Sequence, residues 1–143
     1  MSDAQTDCEQ LLGALMPFVS QMLSEHGEFY PVGAVMTPDG ECQLAAMADD
    51  DDEQPDPSHL IQLFETQFTL GAKSGDHKAT AIVYDALTVP PDKDEKQDTV
   101  ICLLDHRDDY SVKVCFPYTI SDGELELEDP FAVEGEYKVF GAK

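Results

Sequence analysis

Apolar residues recur at intervals of three and four through Leu11, Leu12, Leu15, Phe18, Val19, Met22 and Leu23. That spacing predicts a helix with one face turned to a core. Thr6-Asp7-Cys8-Glu9 matches a capping box, so the helix is expected to begin near Asp7, with residues 1 to 5 a frayed terminus. Pro17 would clash with the carbonyl of residue 13, but residue 13 is a glycine whose backbone can yield. One kinked helix is predicted, with a break between Gly13 and Pro17 as the alternative. Gly27 suits a C-cap and Pro31 prevents the helix from resuming, which places its end near His26. Phe29 and Tyr30 follow in the connection, and at least one of them is expected to plug the gap between helix and sheet. Gly33-Ala34-Val35-Met36 then begins a strand, Thr37-Pro38-Asp39-Gly40 has turn chemistry, and Cys42 to Met47 returns as the second strand of a hairpin.

An acidic loop over 49–56 separates this hairpin from a second helix, for which Asp56 offers an N-cap and Pro57 a first-turn proline. Leu60, Ile61, Leu63, Phe64 and Phe68 form its stripe, and Gly75 its stop. From Lys78 the period changes to two. Ala79 to Val89 sets Ala81, Val83, Leu87 and Val89 on one side and Ile82, Tyr84 and Ala86 on the other, the pattern of a central strand. Residues 90–98 form a second acidic loop, followed by strands over Thr99 to Asp105 and Tyr110 to Phe116 about a turn at His106 to Asp109. Ser121-Asp122-Gly123 is a further turn, Glu124 to Glu128 an extended segment, and Tyr137 to Phe140 a last short strand. The result is one domain over residues 1–143, of the α+β class and the order α-β-β-α-β-β-β. Two main helices lie on one side of a mostly antiparallel sheet of about five or more strands. The core is expected from Leu15, Phe18, Met22, Val35, Leu60, Phe64, Val83, Leu103, Val112 and Val114.

That order, with a G-A-V-M-T-P-D-G hairpin after the first helix, resembles the profilin-like and Roadblock group of domains over roughly residues 7 to 116. The resemblance implies a role as a scaffold for partners. The corner E-H-G-E-F-Y-P-V-G-A-V-M also resembles small bacterial proteins of uncharacterised activity, which implies a bacterial source.

Charge narrows the function classes. Thirty acidic residues stand against eight basic ones, a formal net charge of -22. A phosphate backbone needs basic contacts, and Arg107 is the only arginine, so nucleic acid is excluded as a partner. Ser20, Gln21 and Pro17 interrupt the Leu11 to Leu23 run, which leaves no secretory or membrane-spanning segment and points to the cytoplasm. The four cysteines, Cys8, Cys42, Cys102 and Cys115, lack C-x-x-C spacing and read as reduced thiols rather than a zinc or disulfide framework.

No strong catalytic motif is present. There is no G-x-S-x-G elbow and no P-loop, and Cys102 and Cys115 lie in apolar strands where a thiolate is disfavoured. No cofactor is expected. The four histidines His26, His59, His77 and His106 show no i, i+4 pair, and the run Asp49 to Asp56 lacks the spacing and glycine of a calcium loop, so no metal site is expected. The remaining enzymatic candidates are Asp85, a carboxylate on an apolar strand face, with Asp105 and His106 at a strand end.

The acids concentrate instead in three places: Asp49 to Asp56, Asp105 to Asp109, and Asp122 to Glu136. In the last, Glu124, Glu126 and Glu128 point the same way if the segment is extended, while Leu125 and Leu127 grip the body. With Asp108 and Asp109 they form the expected binding set for a basic protein partner, as in an adaptor or immunity module. Two alternatives stand beside this reading. One is a small enzyme or ligand binder using Asp85, Asp105 and His106; the other is acidity that reflects only a salty cytoplasm, or an edge strand kept charged against aggregation.

Overall fold

Both apolar stripes form helices, and a glycine closes each. In the computed structural model, which describes residues 4–27, 29, 31–45, 57–89, 94–107, 110–122, 124–135 and 139, α1 spans Ala4–His26 and α2 spans Pro57–Ser74. Gly27, at φ 75°, donates its N–H to the Leu23 carbonyl at 2.8 Å and ends α1. Gly75, at φ 76°, ends α2 in a Schellman motif, with Gly75 N–H on the Ala72 carbonyl and Asp76 N–H on that of Gly71. Pro17 is accommodated within α1, which runs without a break. The helix begins earlier than the capping-box pattern indicates, so Ala4 and Gln5 are helical and Thr6 lies inside the first turn. The N-cap proposed at Asp56 lies outside the described residues.

Among the described residues seven strands follow the expected α+β plan: β1 (Val32–Met36), β2 (Cys42–Ala45), β3 (Ala79–Thr88), β4 (Gln97–His106), β5 (Tyr110–Ser121), β6 (Glu124–Leu127) and β7 (Phe131–Glu134). They form an antiparallel sheet in the order β2-β1-β3-β4-β5-β6, with β7 also paired to β5. The β1–β2 turn is the one the sequence indicates: Gly40, at φ 93°, donates to the Thr37 carbonyl, and the Thr37 hydroxyl accepts from Glu41 N–H.

The helices do not share a side. Ala34, Met36, Ala81, Val83, Val100, Cys102 and Leu104 pack on the stripe of Cys8, Leu11, Leu15, Val19 and Leu23 from α1, closed at the corner by Phe29. Alternate residues of the same strands point the other way, where Phe64 and Phe68 of α2 meet Ile82, with Val35, Tyr84 and Leu103 at the border. Gly33 permits this approach, since a Cβ there would lie 2.8 Å from Phe68 and 3.1 Å from Phe64. A strand apolar on both sides, as β3 is, needs cover on both.

Of the expected core, Leu15, Leu60, Phe64 and Val83 are buried, while Met22, Val35, Leu103, Val112 and Val114 are partly buried. Phe18 is 43% exposed, because it lies just outside the stripe that α1 lays on the sheet.

Beyond Phe116 the sequence reading changes most. β5 continues through Pro117 to Ser121. Its outer edge is occupied first by β6 and then by β7, with Tyr118 opposite Leu127 and Cys115 opposite Phe131. Glu128, Asp129 and Pro130 thus stand against only Phe116 and Pro117, a one-residue bulge. The Pro117 carbonyl accepts Glu128 N–H at 2.7 Å on that side. The N–H that proline lacks would face the same bulge, so the ladder to β4 is undamaged. The strand expected over 137–140 lies outside the described residues apart from Val139, which is in a turn.

Candidate functional site

The outer edge of the sheet carries the acidic ladder. β6 alternates, so Leu125 and Leu127 face the α1 side, and Glu124 and Glu126, both exposed, face the other. Leu125 packs on the core, whereas Leu127 remains 38% exposed. Glu128 lies past the strand end, half-buried, and its carboxylate accepts a hydrogen bond from the Gln97 side chain. The ladder therefore has two free-standing rungs, Glu124 and Glu126, with Asp122 and Asp129 exposed near them and Glu134 exposed farther along the edge, opposite Val112. Among the described residues no strand pairs with the far side of β6 or β7. Asp108 and Asp109 lie outside the described residues; the neighbouring Arg107 and Tyr110 are at the opposite end of β5 from Ser121.

The enzymatic candidates do not converge. Asp105 and His106 are consecutive in β4 and point to opposite faces, His106 towards α1 and Asp105 towards the side of α2. Asp85 pairs with Val100 while Asp105 pairs with Thr80, a separation of five residues along the strands, about 16 Å at about 3.3 Å per residue. Asp85 accepts a hydrogen bond from the Tyr118 hydroxyl at 2.8 Å, which satisfies a carboxylate on an otherwise apolar face.

His106 belongs to a buried polar junction that fastens α1 to the sheet. Its Nε2 lies 2.8 Å from Asp7 Oδ2, and Lys78 Nζ lies 3.3 Å from the same oxygen. A carboxylate oxygen only accepts, so the imidazole donates. Asp7 sits in the first turn of α1, where the helix dipole also favours a negative charge. Cys8 is buried beside it, and burial, then the charges of Asp105, Asp7 and Glu9, push its thiol up to about 12. Burial likewise pushes up Cys102, followed by the influence of Cys115. Such thiols are poor nucleophiles. Cys42 is the exposed cysteine of the four, and it too is raised, by partial burial and then by Asp7.

On the opposite face, α2 packs chiefly on β3 and leaves a cavity of about 340 Å³ over β4 and β5. Ile82, Leu103, Val133 and Val139 give it apolar walls, and Ile61 and Glu65 line it from α2. Its polar end is built by strand register. Asp105 pairs with Ser111 and Leu103 with Lys113, so Asp105, Ser111 and Lys113 line one corner. The Ser111 hydroxyl donates to Asp105 Oδ1 at 2.8 Å, and both residues are buried. Gly135 closes over Ser111, donating its N–H to the Ser111 carbonyl at 3.0 Å, with no space for a Cβ. Lys113 is half-buried in the cavity wall and makes no ion pair among the described residues. On the same rung as Asp105 and Ser111, the Thr80 hydroxyl is fully buried without a hydrogen-bond partner among the described residues.

Of these residues, sequence reasoning finds Asp105 and His106 and misses Asp7, Lys78, Ser111 and Lys113. Asp7 is hidden inside a capping-box pattern, and Lys113 by lying in an alternating strand. The available signal is scarcity: in a chain with eight basic residues, each one placed in a structured element is notable. No group of three or more His, Cys, Asp or Glu is arranged to hold a metal ion among the described residues, and the run Asp49 to Asp56 lies outside them. No helix of the described residues is long and apolar enough to cross a membrane. The chain matches no protein-family model, no curated protein and no solved structure.

Proposed function

We infer that this chain is a non-enzymatic, cytoplasmic binding module of the adaptor or inhibitory kind, and that it docks a basic protein partner on its β6–β7 edge. The observation that carries the reading is the composition of that edge. From Asp122 to Glu134 it holds six acids and no lysine or arginine, on strands whose outer side is unpaired among the described residues. Exposed Leu127 and Val133, 38% and 48% accessible, add apolar surface elsewhere on the edge, Leu127 on the α1 side and Val133 opposite Lys113. An extended basic segment laid against this edge would gain main-chain hydrogen bonds from strand addition and charge pairs from Glu124 and Glu126. The high negative charge speeds such an encounter and makes it sensitive to salt.

The test uses the full chain and a peptide of alternating lysine and valine, followed by amide NMR shifts. Shifts clustered at residues 124–134, with affinity falling as salt rises, are the expected result. In the Glu124→Lys/Glu126→Lys variant, binding should weaken by about tenfold or more while the spectrum stays folded. Shifts spread evenly over all acidic surfaces would mean that the acidity is general solvation, and would reject the docking edge.

A further inference from the structure

We propose that the cavity between α2 and the β4–β5 strands binds a small zwitterion with an apolar side chain, of the α-amino-acid class. The assignment rests on the placing of two opposite charges, Asp105 and Lys113, at one corner of a space that has apolar walls and also carries Glu65 and Glu134. Asp105 and Lys113 are diagonal neighbours across the β4–β5 ladder, since Asp105 pairs with Ser111 two residues before Lys113. Diagonal residues on one sheet face lie roughly 7 to 8 Å apart. Both line the cavity, yet no ion pair joins them.

A ligand with an ammonium and a carboxylate on one carbon fits between such groups, its ammonium on Asp105 and its carboxylate on Lys113. Ser111 supports the acidic half, because its hydroxyl already holds one Asp105 oxygen at 2.8 Å and so fixes the carboxylate's orientation. Lys113 supports the other half by being out of place. In a chain with thirty acids, a half-buried lysine has no carboxylate of its own among the described residues. The apolar side chain then lies against Ile82, Leu103 and Val133, in a volume of about 340 Å³ that is within the range of small-ligand pockets. Val133 is 48% exposed, which puts the mouth of the cavity at β7. Glu65, on the α2 wall, adds negative charge and disfavours ligands carrying a carboxylate alone.

The experiment is calorimetric titration of the full-length protein with three matched probes: L-phenylalanine, 3-phenylpropionate, which lacks the ammonium, and 2-phenylethylamine, which lacks the carboxylate. L-Phenylalanine should bind at least about tenfold more tightly than either partial analogue, as loss of one charge-assisted contact requires. Lys113→Met keeps the apolar stem and removes the charge. It should weaken L-phenylalanine by about tenfold while leaving 2-phenylethylamine unchanged. Because Asp105 is buried and Asp105→Asn could disturb the fold, the surface-reaching Lys113 variant is the deciding one, with amide shifts confined to β4, β5 and β7 as the second readout. The proposal is overturned if neither L-phenylalanine nor L-leucine binds at millimolar concentration, if an analogue binds as well as the zwitterion, or if Lys113→Met is without effect.

Discussion

His106 Nε2 lies 2.8 Å from Asp7 Oδ2 across 99 positions of sequence, and through that contact the first turn of α1 is fixed to the end of β4. Lys78 approaches the same oxygen at 3.3 Å. Removing the carboxylate takes the acceptor from a half-buried cation and a buried imidazole, so Asp7→Ala should cost about 3 kcal/mol. Asp7→Asn keeps an oxygen for His106 and should cost less. Urea unfolding of the three proteins measures this; an Asp7→Ala variant within about 0.5 kcal/mol of the parent would show that the junction does not hold the helix.

Thr80 is completely buried with its hydroxyl unpartnered among the described residues. A hydroxyl taken from water without a hydrogen bond costs about 1 to 3 kcal/mol, and valine has nearly the same shape. Thr80→Val should therefore raise stability by about 1 kcal/mol or more. Loss of stability on this substitution would mean that the hydroxyl is hydrogen-bonded.

Gly71 reverses the usual helix rule. Replacing an interior helical glycine with alanine normally stabilises by about 1 kcal/mol. Here a Cβ would run into the ring of His77, whose Nε2 is held at 2.8 Å by the Phe68 carbonyl. Gly71→Ala should destabilise by about 1 to 3 kcal/mol. With His77→Ala also present, the alanine at 71 should cost nothing. Additive losses in the double variant would contradict the proposed collision.

Cys8 predicts a weakness to alkali. Its thiol stands at about 12 in the folded chain against an ordinary 9.0. Between those values the unfolded chain gives up a proton that the native one keeps, so the unfolded state binds fewer protons and stability falls as pH rises. The full contribution is present below about pH 9, and the loss approaches about 1.4 kcal/mol per pH unit above it. Unfolding measured from pH 8 to 11 should show a shallower decline in Cys8→Ala than in the parent. Parallel declines would assign the alkaline loss to other groups.

Much of this architecture is written in local pattern. Gly27, Gly40 and Gly75 mark the ends and turns at which they are found, because each adopts a positive φ that other residues resist. Alternation from Ala79 onward identifies β3, and its two apolar faces outweigh the α+β default of a single helical layer. Local pattern fails where a residue has two possible partners. Asp7 sits where a capping sequence would employ it on the helix's own amides, and only the packed sheet reveals Lys78 and His106. Pro117 reads as a strand end since proline removes a donor, yet the missing donor faces a bulge, where no ladder bond is lost. The cavity corner is a matter of register: nothing near Asp105 in sequence says that Ser111 and Lys113 will stand beside it.

The strand order also governs how the chain can assemble. β3, β4 and β5 are successive and adjacent, so they form by short-range closure, whereas β1 must insert between β2 and β3 after α2 has crossed over. The surface that receives α1 comes largely from positions 79 to 104. During synthesis α1 therefore leaves the ribosome with its apolar stripe uncovered, and it stays so until β4 has been made. An element made before the whole sheet is thus among the last to be enclosed, which makes the interval before β4 emerges the period when this chain most needs protection from its neighbours.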